Sequence, residues 1–281
     1  MEGKVVIVTG GNSGIGLATV RGLAKLGATV VMACRDMTKA RHVRDAIVKE
    51  TGNPRLEVMA LDLGSSASIK RFAAEFLAAH TQLHVLINNA GTWERTRSVT
   101  ADGFETTFGA NHLGVFLLTH ELLGVLKATA PSRIVNVASK LHYRGHMDWG
   151  DLMAERKFSA TTAYNQSKLA NVLFTRQLAQ NLKGTGVTVN CLHPGVVATD
   201  LTRHYPKILV KLFHLFLITP EEGASTSLYL ATSKDVEGVT GEYFDKSRKT
   251  APSAEARDPS VQKRLWEVSE HLLKLDGLAA A

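Results

Sequence analysis

The feature that most restricts this chain is an alternation of strand and helix signals that begins almost at its first residue. Short β-branched runs appear at 4–9, 29–32, 55–60, 83–87, 133–138 and 188–192. Between them lie longer segments, such as 15–26 and 68–79, whose apolar residues recur at spacings of three and four. The short runs are continuously apolar, which suits strands buried on both faces of a parallel sheet. Parallel strands joined through helices need right-handed crossovers, so the pattern predicts a doubly wound α/β fold. No Pro/Ser-rich linker interrupts it, and a single domain over residues 1–277 is expected, with 278–281 set aside as a tail of the kind cloning leaves.

Punctuation between the segments agrees. Asp36 precedes a periodic segment and is a natural N-cap. Gly27 and Gly52 stand where helices should stop, and Pro220-Glu221-Glu222 should open another helix, with acids favoured in its first turn.

After the first strand the chain reads Thr9-Gly10-Gly11-Asn12-Ser13-Gly14-Ile15-Gly16 and then turns helical. Glycines at 10, 14 and 16 let the backbone turn tightly and approach a pyrophosphate, and the helix N-terminus offers free N–H donors. A strand–loop–helix setting at the start of the fold makes this a dinucleotide-binding signal, with Asn12, Ser13 and Ile15 part of the loop. The choice of nucleotide falls to the end of the second strand, Ala33-Cys34-Arg35-Asp36. Arg35 is placed to bond a ribose 2′-phosphate, a contact worth about 1.5–3 kcal/mol, whereas an acid there would bind a 2′-hydroxyl. Asp36 would repel that phosphate unless its cap role turns it to the helix. NADP(H) is therefore expected over NAD(H).

Farther on, Tyr164-Asn165-Gln166-Ser167-Lys168 opens a helical pattern running to about Lys183. Tyr164 and Lys168, four residues apart, share one helical face. A tyrosine is a poor acid–base group at neutral pH, and a neighbouring ammonium should lower its pKa toward the working range. Ser139 follows the fifth strand, at the sheet edge where ligands bind in open α/β folds.

TGGNSGIG, Asn88-Asn89-Ala90-Gly91, Ser139, YNQSK and His193-Pro194-Gly195 occur in the order of the short-chain dehydrogenases/reductases, and to about residue 275 the chain resembles that family. ACRD, Asn111–Gly114, YNQSKLANVLFT and HPGVVATDL resemble its retinol-dehydrogenase-like, NADP-dependent branch, as does the long segment between Ser139 and Tyr164 that contains Asp148–Leu152. The resemblance implies a Rossmann-type, seven-stranded parallel sheet flanked by helices. It implies Tyr164 as the acid that protonates a carbonyl oxygen, Ser139 as its polariser and Lys168 as the ribose-binding partner that tunes Tyr164. Asn111 would hold a relay water, Asp62 and Leu63 the adenine end, and Asn88, Ala90 and Gly91 the wall of the cofactor groove. Pro194, Gly195, Val197 and Thr199 would hold the nicotinamide end. Trp93, Lys140, His142, Leu201 and Phe213 are the candidates to touch substrate, with an exposed loop position as the plainer reading of His142.

The activity that the resemblance implies is that of an NADP(H)-dependent oxidoreductase. It would interconvert a ketone or aldehyde and an alcohol on a hydrophobic small molecule such as a retinoid, steroid or aryl ketone. Two other readings compete: a non-catalytic NADP-binding or redox-sensing protein, and a nucleotide-sugar epimerase. The intact Ser139, Tyr164 and Lys168 argue against the first, and the glycine spacing and short C-terminal region against the second.

Other signals weigh less. The chain has 33 Lys+Arg against 26 Asp+Glu, a net charge of +7, yet the basic residues are scattered among acids, so no nucleic-acid partner is expected. Pairs such as His80/His84 and His142/His146 lack a third ligand for a metal. Cys34 and Cys191 sit in apolar runs and read as buried core, and with no disulfide framework and no leader before the first strand a cytoplasmic location is expected. No stretch suits a membrane span. The apolar segment 208–218, inside a lid region at 202–218, reads as a cover over substrate, a contact with a membrane surface or partner chain, or core. Relatives pair through the long helices after strands four and five, which implies a homodimer or homotetramer.

Overall fold

Six of the strands fall where the apolar runs predict them: β1 (Val5–Thr9), β2 (Thr29–Cys34), β3 (Leu56–Ala60), β4 (Val85–Asn88), β5 (Ser132–Val137) and β6 (Val187–His193). The structure, a computed structural model, describes residues 1–195 and 218–275. Val197, Thr199, Leu201, Phe213 and nearly all of the expected lid lie outside the described residues, as do residues 276–281. Two further strands complete the sheet, β7 (Tyr243–Asp245) and β8 (Arg248–Thr250). Among the described residues the order is β3-β2-β1-β4-β5-β6-β7-β8. Seven strands are parallel, as expected, and β8 adds an eighth, antiparallel to β7. Its three residues are polar or charged and largely exposed, so no apolar run announces it.

Alternation of side chains across each strand divides the core between the two faces of the sheet. Ile7, Val31, Leu86 and Ile134 pack to one side with Phe72, Phe76, Phe116 and Phe174. Val6, Val8, Val30, Met32 and Ile87 pack to the other with Leu23, Ile47 and Leu230. Among the described residues seven principal helices supply these layers: α1 (Gly14–Lys25), α2 (Met37–Thr51), α3 (Ser66–Ala79), α4 (Gly114–Ala128), α5 (Ala160–Asn181), α6 (Pro220–Thr232) and α7 (Pro259–Leu273). Their ends follow local chemistry. The Asp36 carboxylate accepts the Lys39 N–H at 2.9 Å, Gly52 closes α2 at φ +69°, and Thr219 and Glu222 cap α6 reciprocally ahead of Pro220. Cys34 and Cys191 are free and buried, as expected. No helix among the described residues is long and apolar enough to cross a membrane.

The chain runs outward from β1 to β3, then returns to place β4 on the other side of β1. That reversal opens a crevice at the carboxyl ends of β1 and β4, the place where open α/β sheets bind ligands.

Candidate active site

The glycine loop occupies one half of this crevice. Gly10 and Gly14 take φ of +67° and +51°, in the left-handed region that favours glycine. At Gly16 any Cβ would collide with the Gly10 carbonyl oxygen and press on the Asn89 amide. Ser13 stands at the N-cap of α1, yet its side chain makes no cap bond and the first turn holds no acid. The first N–H groups of α1 are thus left to an anion. Asn12 donates to the Asp36 carbonyl at 3.4 Å, tying the loop to the end of β2. Arg35 is exposed there, and its guanidinium makes no ion pair or hydrogen bond among the described residues. Asp36 faces its own helix, as its cap role requires.

The opposite wall comes from the segment after β4. Thr9 Oγ1 accepts the N–H groups of Asn89 and Ala90, each at 2.9 Å, and Asn89 donates its amide to the Thr9 carbonyl. Asn88 differs from expectation. It is buried, and its amide donates to Thr119 of α4 and Asn136 of β5, so its side chain knits helix to sheet and the Asn89 side chain lies against the loop. Asn89 and Thr9 are absent from the sequence-based set, although the doubled Asn was the available signal. Asp62 accepts the Gly64 N–H at 2.9 Å, and Leu63 lies against Gly114 at the start of α4.

Across the crevice, Asn111 and Lys168 meet around Gly91, with Tyr164 beside Lys168. A π-helical turn, Gly109–Leu113, leads into α4 and carries Asn111. Asn111 grips the Thr92 backbone twice, accepting its N–H at 2.7 Å and donating to its carbonyl at 2.9 Å, and donates to Ser167. Its side chain is therefore engaged by the protein, so the expected hold on a relay water is not made by that side chain. A Cβ on Gly91 would lie 3.3 Å from Asn111 Oδ1 and 3.4 Å from Lys168 Nζ, so these three residues converge. Lys168, on α5, is buried and donates to the Val137 carbonyl at 3.0 Å, with Nζ 5.5 Å from the Tyr164 ring centre. Tyr164 is partly buried beneath Trp93, whose ring stacks on it at 4.9 Å and 18°. Ser139 is buried just past β5.

The expected depression of the Tyr164 pKa is not what this arrangement produces. Burial pushes Tyr164 up to about 12 and Lys168 down to about 8. Removing both groups from water penalises phenolate and ammonium alike, and burial is the cause of both shifts. The phenol keeps its proton, the state an acid for carbonyl reduction requires.

Two substrate candidates are placed otherwise than predicted. His142 is fully buried: it neither lies exposed in a loop nor faces the crevice, because its ring nitrogens are taken by the Ser139 carbonyl and the Ser253 N–H. Lys140 directs its ammonium to Asp245 on β7, at 2.8 Å. Trp93 alone among the described candidates stacks on the Tyr164 ring. Pro194 and Gly195 follow β6, with Gly195 at φ +94° against Ile218. No cluster of His, Cys, Asp and Glu fit for a metal occurs among the described residues.

A nicotinamide dinucleotide fits this crevice on three observations: a cradle that a Cβ would fill, an uncapped helix N-terminus, and a buried lysine with one acceptor among the described residues for its three donors. A doubly wound sheet with this cradle and a Ser–Tyr–Lys constellation defines a nucleotide-dependent oxidoreductase. The chain belongs to the short chain dehydrogenase family, whose profile matches residues 4–207. Retinol dehydrogenase 12 of Homo sapiens is 49% identical over 97% of this chain and 87% of its own length. Retinol dehydrogenase 14 of Homo sapiens is 46% identical over 98% of this chain and 88% of its own. A solved structure from Mycobacterium paratuberculosis superposes with a TM-score of 0.79 at 33% identity, covering 98% of this chain and 95% of that one. The Pseudomonas aeruginosa RhlG/NADP active-site complex gives 0.72 at 25% identity, covering 93% and 97%. The protein is accordingly an oxidoreductase that interconverts alcohol and carbonyl groups with a nicotinamide cofactor.

Proposed function

We propose that the protein uses NADP(H) in preference to NAD(H) and acts on a hydrophobic, extended carbonyl or alcohol, with retinoids first among the candidates. The observation that carries the nucleotide choice is Arg35, exposed at the end of β2 with its charge unspent, beside an Asp36 whose carboxylate is turned to α2. The substrate class rests on Trp93, flat against Tyr164, which offers a planar apolar wall next to the proton donor. The retinol dehydrogenases among the relatives point the same way.

In this reading Tyr164 donates its proton to the carbonyl oxygen during reduction and takes it back during oxidation. Ser139 polarises that oxygen, and Lys168 holds the ribose of the cofactor. A bound nicotinamide supplies or accepts the hydride. Asn111 holds Thr92, and with it the segment that carries Trp93. Oxidation of NADPH against retinaldehydes, steroids, aryl ketones and short aldehydes tests the reading: turnover of long conjugated aldehydes above the short ones supports it. A preference for NADH, or for short polar carbonyls, would overturn it.

A further inference from the structure

The peptide group between Ser139 and Lys140 is held at both ends by imidazoles. Its carbonyl, that of Ser139, lies 2.7 Å from Nδ1 of His142, and its N–H, that of Lys140, lies 3.2 Å from Nδ1 of His193. A backbone carbonyl only accepts and a backbone N–H only donates. The first contact therefore needs a proton on His142 Nδ1, and the second needs His193 Nδ1 bare. Nε2 of His142 in turn accepts the Ser253 N–H at 3.2 Å, which independently requires the same Nδ1–H tautomer. Neither ring is available to substrate. His142 is fully buried between Tyr143 and Tyr243, at 4.0 and 4.6 Å between ring centres, and His193 is 6% exposed at the end of β6. Burial lowers the pKa of both, that of His193 to about 4, despite the nearby Asp245 carboxylate.

A peptide unit is planar, so fixing both ends fixes its rotation about the serine. That rotation sets where the next turn begins, and the turn sets the serine hydroxyl, because Ser139 Oγ accepts the Leu141 N–H at 3.2 Å. The Ser253 bond adds a third element. Segment 251–256 lies more than a hundred residues along the chain and also accepts the Tyr143 hydroxyl, through the Ala251 carbonyl, at 2.6 Å.

We infer that His142 and His193 are positioning residues that clamp the Ser139–Lys140 peptide plane in opposite tautomers, with the backbone of Ser253 bracing His142 from behind. The inference rests on the reading of Ser139 as the group that polarises the substrate oxygen, and its test separates the two. Nitrogen NMR of the histidine rings at pH 7, without substrate, should show His142 as the Nδ1–H tautomer and His193 as the Nε2–H tautomer. The reverse in either ring would overturn the clamp, whatever the enzyme turns over; a wild-type protein that turned over no carbonyl would instead strike the functional reading.

Kinetics then ask whether the clamp acts through the serine. His142→Phe keeps the ring packing without either bond and should lower kcat by about 10- to 100-fold, since small displacements of a reacting group cost that much. The dissociation constant for NADPH should hold. His142→Asn, whose amide N–H can replace Nδ1–H, should recover most of the loss. In a Ser139→Ala background His142→Phe should cost little more. An equal loss in both backgrounds, or no rescue by Asn, would overturn the proposal. Should the ring variants not fold, Ser253→Pro removes the bracing N–H at a φ of −54° that proline accepts. Compared with Ser253→Ala, which lacks the same hydroxyl, it should lower kcat by about 2- to 10-fold, the equivalent of one neutral hydrogen bond. No difference between the two would remove Ser253 from the brace.

Discussion

The two halves of the crevice are built on different principles. The half around β1, β2 and the glycine loop works with backbone: positive-φ glycines, uncapped N–H groups of α1 and one exposed arginine. The half around β5, β6 and α5 works with buried polar side chains, Ser139, Lys168, His142 and His193, each hydrogen-bonded to a backbone group. Binding a pyrophosphate needs donors and room, which glycines and a helix end provide without shifted ionisation. Moving a proton needs groups whose ionisation is set by their surroundings, and burial sets it.

Breaking the catalytic half should have the largest effect. Tyr164→Phe should lower turnover by about 10²- to 10⁴-fold while NADPH binds as before, measured by stopped-flow oxidation and by fluorescence titration. Loss of binding together with turnover would show that the halves are not separable as described. Breaking the nucleotide half at Arg35 should be smaller and selective. Arg35→Ala should weaken NADPH by about 10- to 150-fold, the worth of a charge-assisted bond, and leave NADH nearly unchanged. Equal weakening of both would take Arg35 out of the phosphate site.

The smallest effect joins the halves through Lys168. Burial lowers its pKa from 10.5 to about 8, so between those values the unfolded chain holds a proton that the folded chain has released. This group therefore makes stability rise with pH across that window. Cofactor binding runs the other way: as pH rises through about 8 the ammonium is lost, and NADPH should bind about tenfold more weakly, the difference between a charged and a neutral hydrogen bond. Titrations on both sides of pH 8 should show the change in wild type and not in Lys168→Met. A flat wild-type profile would mean that the lysine does not serve the cofactor as an ammonium.

The same contrast explains what could be read from the chain alone. Glycines and apolar periods are local, so the loop, six strands and the Asp36 cap were legible. Tyr164, Lys168 and Ser139 were legible as a motif, but the direction of the Tyr164 shift depends on desolvation by distant parts of the chain. His142 looked like a loop residue because nothing near it in sequence reveals that segment 251–256 folds over it. The short β7 and polar β8 carry no apolar run, and only their pairing onto β6 makes them strands.

The C-terminal helix has a consequence for assembly. Nine of the fifteen residues of α4 and fourteen of the twenty-two of α5 are already buried within one chain. Helix α7 is one reason. Trp266 packs against Phe116 of α4 at 4.7 Å and Phe174 of α5 at 6.0 Å, and Ser269 meets His112 at 2.8 Å. Any pairing of this protein through Phe116, Phe174 or His112 has to take α7 as part of the joint or turn it aside.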